Sequence, residues 1–540
     1  MGTVCGIITA MKKKPTRRVH QELTPETLSQ MDQATLIALM MKVLEQNKVL
    51  SEQLQSVLQE RYGKKTERPD NPEQLRIFEC DTAQEEAISA NVDPVSNETE
   101  KQKKRPGHAR NPMPSRLKHK RIERTPSPQE VECRCGGHRV KVGEVIRNSR
   151  YECEPVNVFV EDIIDSIWEC SNCHDRKTIE ADACEPILGG TAGPQLLVGI
   201  VENRWLNHLP LHRQEQMFAR LGADIPRSTM CGWSAEIARI FEPVYDCMKA
   251  ELLLSKAIAT DDTPVKVQDR TKKANIARGH EWIFIGDDDH PMNLFHHTRG
   301  RGRDGPLRFL AGFKGFLQGD CFSGNRALCA ETGATHVACR AHDRRYYVKA
   351  RPNNKKLCDE MLVMYSALFE IEKTGRELEL SADQMRLLRH QESVPLLAKM
   401  KAWIDEHSVT ALPSSSLGKA LAYSRNNWEQ LNNYLLDGDL RIDNNLAEQQ
   451  MKMFATGRKN WYFFGSEEAG MQASIMLSLL STCLRNRLEP RSYLYDVLLR
   501  LIENPDCDKT ELLPHRWSKK YEMGEIRMSN LPQKVETAYR

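Results

Sequence analysis

"KAIATDDTPVKV", Lys256–Val267, is a short apolar run interrupted by two adjacent acids, Asp261 and Asp262. Its composition is strand-like and the acids break it, so a carboxylate is expected at a strand end. Two further strand-like runs follow, "EWIFIGDDD" (Glu281–Asp289) and "PMNLFHH" (Pro291–His297). Phe316–Gln318 then forms another, ending at Asp320 before the turn and helix of "CFSGNRALCAE" (Cys321–Glu331), and "THVACRAH" (Thr335–His342) supplies a fifth.

Strand, strand, strand, helix, strand, helix, strand is the order of a ribonuclease H-like core, a mixed-sheet α/β fold. In that arrangement the ends of the first and fourth strands lie side by side, so Asp261 and Asp320 are expected together although 58 residues intervene. A third acid comes from "IDNNLAEQQMKMFATGRKNWYFFGS", Ile442–Ser466. Asp443, Asn444 and Asn445 are helix-capping residues, which puts Glu448 on a first helical turn. Downstream, Lys452, Arg458, Lys459, Asn460 and Trp461 offer cations, an amide and a stacking face suited to a phosphodiester backbone. Alone, the passage also fits a capped surface helix followed by a basic loop. Three carboxylates converging without histidine or thiolate suit Mg²⁺ or Mn²⁺, two of which about 3.5–4 Å apart support in-line phosphoryl displacement.

The rest of the 540-residue chain exceeds one core, so about two to four domains are expected. With 77 Lys and Arg against 74 Asp and Glu, global charge excludes little and local clustering decides. Sixteen scattered cysteines suit a reducing cytoplasm, and neither a signal peptide nor a membrane-spanning run is expected. After an N-terminal tail (1–23), Thr24 and Pro25 open a helix (24–63) with a stripe at Leu36, Met40, Val43, Asn47, Leu50, Leu54 and Val57. Steps of four and three with one polar member predict a short dimerising coiled coil; an amphipathic helix packed on the chain is the alternative. Residues 64–130 read as a linker, acidic over 77–100 and then carrying ten Lys or Arg over 101–124, among them Lys103, Lys104 and Arg105. Interleaved prolines make the latter stretch an extended basic arm suited to DNA.

Over 131–180, Cys133 and Cys135 are answered by Cys170 and Cys173, a soft four-thiolate set expected to hold Zn²⁺ in a zinc-ribbon-like domain. The 34-residue gap between the pairs is long, which keeps His138, Cys153 and His174 open as substitute ligands. A helical region (181–250) precedes the catalytic domain (251–475), and a C-terminal helical region (476–540) follows it. Cys339 and His342 form a possible metal pair, or structural support beside Arg344 and Arg345, which would contact phosphate. "GRGRDG", Gly300–Gly305, lacks the context of a dinucleotide site and reads as a mobile basic loop.

Ordered motifs along nearly the whole chain carry a resemblance: "ERYGKKTER" (60–68), "CRCGG" (133–137) with "CSNC" (170–173), "NHLPLHRQEQMFARLG" (207–222), "DDTPVKV" (261–267), "GFLQGD" (315–320), "ACRAHDRR" (338–345), the Ile442–Ser466 passage, "LEPRSYLYDVLLRL" (488–501) and "LLPHRW" (512–517). Together they resemble the large-transposase, TnpC-type members of the bacterial insertion-sequence-66 family of DDE transposases. The resemblance implies that Asp261, Asp320 and Glu448 are the metal-binding catalytic triad, with a helical insertion at about 350–440. It also implies terminal inverted repeats and target DNA as substrates, a homo-oligomer, and two small accessory proteins as possible partners. Three positions depart from the family's pattern: Gln449 replaces Arg, Cys321 with Phe322 replaces Gly-Tyr, and Arg340 replaces Trp. A nuclease that does not join DNA, or an inactive DNA-binding regulator, is the alternative.

Overall fold

The computed structural model describes residues 119–522 apart from 155, 156, 188, 189, 273 and 303, together with residue 117 and ten residues scattered between 32 and 51. Met40, Asn47 and Leu50 of the expected dimerising stripe are helical and exposed, as are Ile37, Met41 and Leu44. Leu36, Val43, Leu54 and Val57 lie outside the described residues, as do Lys103, Lys104 and Arg105. Among the described residues no helix is long and apolar enough to cross a membrane.

The first sheet is a ribbon built from β1 (His119–Ile122), β2 (Arg139–Glu154), β3 (Asn157–Cys170) and β4 (Arg176–Ile179). β2 and β3 form one antiparallel hairpin, paired from Arg139 with Cys170 to Glu154 with Asn157. β1 runs parallel to β3, and β4 pairs with β3 beyond it. The cations at the end of the basic arm are therefore structural: Arg121 pairs with Glu144 at 2.7 Å, and Arg124 with Glu130 at 2.9 Å. Glu152 of β2 accepts the Leu196 N–H at 2.7 Å, fixing the ribbon to the start of the next helix.

Three helices follow, α1 (Pro194–Trp205), α2 (Leu211–Arg220) and α3 (Arg227–Leu252). Their apolar faces join a core beneath the second sheet, where Phe241, Phe284, Phe295 and Phe454 are fully buried. Each contributes about 1.5–3 kcal/mol of hydrophobic stabilisation.

The second sheet holds β5 (Ala257–Gln268), β6 (Ile276–Ile285), β7 (Asn293–Thr298), β8 (Phe316–Gly319) and β9 (Thr335–Ala338), side by side in the order β7-β6-β5-β8-β9. β5, β6 and β7 are antiparallel neighbours, and β8 and β9 run parallel to β5. A two-residue strand, β10 (Phe463–Phe464), pairs with the far end of β5. The fold is thus mixed α/β with mixed sheets. α4 (Asp304–Phe309), α5 (Ser323–Thr332) and α6 (Arg340–Ala350) connect these strands and lead out of them.

The insertion contains α7 (Lys355–Glu377), α8 (Ala382–Leu388), α9 (Val394–Thr410), α10 (Ser416–Asn426) and α11 (Trp428–Asn432), packed around a second apolar core. Its periodicity reads as continuous helix, but the chain turns at Glu379, whose φ is +49°, and restarts at the Ser381–Gln384 capping box. One π-helical turn, Arg389–Ser393, then aims Arg389 inward. Its guanidinium, 2 % exposed, donates twice to Glu372 at 2.8 Å and to the carbonyls of Tyr434, Asp437 and Leu440 at 2.7–2.8 Å. The insertion is thereby tied to the segment leading into α12 (Asn445–Trp461).

α13 (Glu467–Arg485) closes the outer edge of the sheet. Ser478 and Thr482, four residues apart on its buried face, accept the N–H groups of Phe295 and Asn293 at 2.7 and 3.0 Å. Four helical residues rise about 6 Å, close to the two-residue step at which a strand repeats an edge-facing N–H. Small hydroxyl side chains thus replace a missing neighbouring strand. α14 (Pro490–Glu503) and α15 (Pro514–Glu522) complete the chain's described part.

Candidate active site and metal centre

β5 does not end at its acid pair; it continues to Gln268 because β6 pairs with it along the whole length. Its other edge is split: residues 257–259 pair with β8, residues 266 and 267 with β10. α12 covers the gap. Asn444 Nδ2 donates to the Thr260 carbonyl at 2.8 Å, and Arg458 donates to Thr263 Oγ1 at 2.9 Å and to the Pro264 carbonyl. Because the Pro264 carbonyl points into the gap, so does its nitrogen, and the proline removes no ladder hydrogen bond.

Along β5 successive side chains alternate faces. Asp262 is taken up by His280, whose Nδ1 lies 2.8 Å away, and by a bidentate contact from Arg301 at 2.8–3.0 Å. Asp261 turns toward the two other predicted acids. Its carboxyl is pushed up to about 7, by burial first and then by the charges of Glu448, Asp262 and Asp320. Asp320 follows β8 immediately, and its Oδ1 accepts the Phe322 N–H at 3.1 Å and Asn325 Nδ2 at 3.0 Å. Oδ2 lies 3.7 Å from Arg301. Glu448 sits in the first turn of α12, as its capping sequence predicts. Asn444, however, spends its side chain on β5, and Asp443 makes the local turn by accepting the Asn445 N–H at 3.1 Å.

Arg345 donates to Glu448 Oε2 at 2.9 Å and approaches His342 Nε2 at 3.2 Å. Glu448 Oε1 and His342 Nδ1, 3.7 Å apart, are both buried without a hydrogen-bond partner among the described residues. An orphaned carboxylate oxygen beside two more acids fits a hard divalent cation. Cys339 lies with His342 and Glu448 in a group whose ligand atoms fall within 4.8 Å. Burial pushes its thiol up to about 12, and its sulfur accepts the Asn444 N–H at 3.2 Å, so it acts as a buried cap.

The remaining predicted contacts divide. Lys452 and Lys459 are exposed on α12, Asn460 donates to the Thr456 carbonyl at 3.2 Å, and Arg344 is half-buried on α6. Arg458 and Trp461, read from sequence as outward groups, are engaged internally. Arg458 holds β5, and Trp461 stacks on Phe464 at 4.9 Å and meets Trp205 and Phe454 edge-on. Sequence reasoning missed Arg301 and His280, for which the acid doublet was the available signal: adjacent strand residues face opposite ways and need different partners. Arg340, the departure from the resembled pattern, is completely buried, with its guanidinium 4.8 Å from the Trp428 ring centre and donating to the Leu431 carbonyl at 3.1 Å. Phe322, another departure, forms a shelf 3.8 Å beneath Arg301.

The four predicted cysteines meet at the open end of the ribbon hairpin. Sγ atoms lie 3.4 Å apart for Cys133 and Cys173, 3.5 Å for Cys135 and Cys170, and 3.4 Å for Cys135 and Cys173. The long spacing between the pairs is one strand out and one strand back. Backbone N–H groups of Cys173 and Asn172 pull the Cys170 thiol down to about 6, whereas Cys173, though lowered by the Asp175 N–H, is pushed up to about 12 by the other three sulfurs, so Cys170 is the thiolate of the set. This group could hold a metal, and its donors fit Zn²⁺. His174 instead pairs with Glu169 at 2.8 Å, and the side chain of Cys153 lies outside the described residues.

The sequence model described as "Transposase IS66 family" matches residues 189–472, more than half of the chain and all three acids. The chain belongs to that family. A second model, "Transposase C of IS166 homeodomain", matches residues 49–122. Among relatives, uncharacterized protein y4hP of Sinorhizobium fredii (strain NBRC 101917 / NGR234) is 30 % identical over 458 residues, 80 % of each chain. Uncharacterized protein y4jD of the same organism is 28 % identical over 454 residues, 80 % of this chain and 86 % of the other. Family membership makes this chain a transposase-type enzyme, and the matched region contains Asp261, Asp320 and Glu448, whereas the cysteine cluster precedes it.

Proposed function

We propose that this chain is a DNA transposase that binds the terminal inverted repeats of an insertion sequence, cuts there and joins the exposed 3′ hydroxyls to target DNA. The observation that carries the reading is that Asp261 of β5 is pushed up to about 7 by burial and then by the charges of Glu448 at the start of α12, of Asp262 and of Asp320 at the end of β8. The β7-β6-β5-β8-β9 order supports a ribonuclease H-like core. Asp261, Asp320 through Oδ2 and Glu448 through Oε1 are the oxygens that would hold Mg²⁺ or Mn²⁺. Bound there, such ions supply Lewis-acid stabilisation of attacking and leaving oxygens.

The chain's own groups prepare the site. Two donors lock Asp320 Oδ1, which leaves Oδ2 with Arg301 at 3.7 Å as its charged neighbour, and Arg345 fixes Glu448 by its other oxygen. Lys452 and Lys459 on the same helix supply cations for a strand, and Arg344 supports them. The cysteine cluster is a zinc centre that stiffens the ribbon. The exposed Met40, Asn47 and Leu50 support self-association through the N-terminal helix, and the resemblance adds accessory proteins and a cytoplasmic, nucleoid-associated setting.

The test is a strand-transfer assay with Mg²⁺ or Mn²⁺ and DNA from both ends of the element, comparing wild type with Asp261→Asn and Glu448→Gln. Joined products that vanish in both variants support the reading. Wild type that binds those ends but neither cuts nor joins them, with accessory proteins present, would overturn it.

A further inference from the structure

Beside the carboxylates lies a second feature, a cavity of about 700 Å³ between α3, the end of β7, the Gly300–Gly305 loop and the start of α13. Lys249, Arg299 and Arg308 line it. Among the described residues none of the three has a carboxylate at ion-pair distance. Lys249 lies 4.9 Å over the Phe309 ring, and Arg308 Nε donates to the Asp304 carbonyl at 3.2 Å, contacts that leave both charges unneutralised. Of the two acids on the lining, Glu467 is bonded to His297 at 3.0 Å, which leaves Asp304 as the opposing charge on the cavity wall, while Asp269 and Glu468 act on Arg299 at longer range. The local field is positive: burial first, then Lys249, His297 and Arg308, pushes His296 down to about 4.

Gly300 and Gly302 add an independent sign. Neither has a positive φ, and a side chain added at either would meet nothing within 4 Å. Neither backbone conformation nor internal crowding demands glycine there. What glycine still provides is bare backbone for a ligand to approach. Between them, Arg301 reaches Asp262 and Asp320, so one short loop connects the cavity with the carboxylates.

We propose that this cavity is a phosphate subsite, taking a backbone phosphodiester of the DNA duplex a few nucleotides from the reacting one. The DNA identity of the ligand rests on the transposase reading, whereas the affinity for phosphate does not. Successive phosphates of a strand advance about 3.4 Å along the duplex axis, so a strand in the site passes the loop within a few steps. The glycine-arginine motif thus has a use other than nucleotide-cofactor binding.

The test measures duplex affinity of the full chain across a salt series for Lys249→Gln, Arg299→Gln, Arg308→Gln, Gly302→Ala and Asp304→Asn, after checking each thermal midpoint. Arg299 is exposed, so that variant folds even if another fails. Each lost cation should lower the log–log salt slope by about 0.9. Gly302→Ala should weaken binding without changing stability, and Asp304→Asn should strengthen it. Unchanged slopes in the cation variants together with no gain in Asp304→Asn would overturn the proposal. If inorganic phosphate alone stabilises wild type, and the cation variants lose that response but keep the DNA slope, the cavity takes free phosphate and the DNA assignment falls. Asp261→Asn, run alongside, separates the two readings, because it should lose joining while keeping the slope. Wild type that joins nothing, with cavity variants that still shift the slope, would sink the transposase and spare the subsite.

Discussion

The cysteine cluster and the three acids proposed as a catalytic set are assembled in opposite ways. All four cysteines come from two turns at one end of one antiparallel hairpin, whose register slips only at the bulges between Lys141 and Gly143 and between Ile146 and Asn148. The three acids come from a strand middle, a strand end and a helix start, and 127 residues separate Asp320 from Glu448. One centre depends on its own neighbourhood; the other depends on the whole fold, insertion included. Perturbations should therefore stay local in the first and spread in the second.

The largest effect should come from stripping the cysteine centre by chelation or by Cys170→Ser, because structural zinc is worth about 10–16 kcal/mol in small domains. Amide exchange should accelerate across the ribbon while β5–β9 keep their protection; accelerated exchange in both would break the distinction. Next, Asp261→Asn should lower strand transfer by about ten-thousandfold or more, over 5 kcal/mol of barrier, with zinc content unchanged at one ion per chain by metal analysis. Arg389→Met comes third. It leaves Glu372 buried without its partner, which costs about 3–5 kcal/mol. The insertion should unfold at lower temperature in calorimetry, and joining should fall with it, although Arg389 lies in another subdomain.

The smallest effect concerns pH. Asp261 has an ordinary value of 3.8 and a folded value near 7. The folded chain therefore holds the extra proton between those values, so the associated stability is complete below about pH 4 and is lost as pH rises through 7. Asp261→Asn should raise the thermal midpoint at pH 8 by roughly 2–4 °C for each kcal/mol relieved, and leave it unchanged at pH 4. Mg²⁺ should likewise stabilise wild type more at pH 8 than at pH 5. A midpoint for the variant that falls at pH 8 would mean Asp261 is not the crowded carboxylate.

Much of this was legible in residues whose neighbours in sequence are also their neighbours in space. The cysteine pairs announced their turns, the Asx run announced the helix that carries Glu448, and five apolar runs announced five strands. What stayed hidden depends on partners distant in the chain. Asp261 and Asp262 looked like a strand terminus because acids are rare in strands, yet β6 carries the strand on and α12 fills the gap beside it. Nothing in the sequence marks Arg340 and Arg389 as buried, because most of the carbonyls and acids that surround them come from 17 to 92 residues away, Asp343 beside Arg340 being the near exception. Arg458 and Trp461 looked outward for the same reason.

The hydroxyl-bearing face of α13 has a consequence for synthesis. β7 is complete at Thr298, but the side chain that caps its first N–H, Thr482, emerges 184 residues later. At 5–20 residues per second that is about 10–40 s during which a nascent sheet offers an open edge. A copy truncated before α13 would keep Asp261, Asp320 and Glu448 but also an uncovered strand, and its fate would be association with other chains rather than a quiet loss of activity.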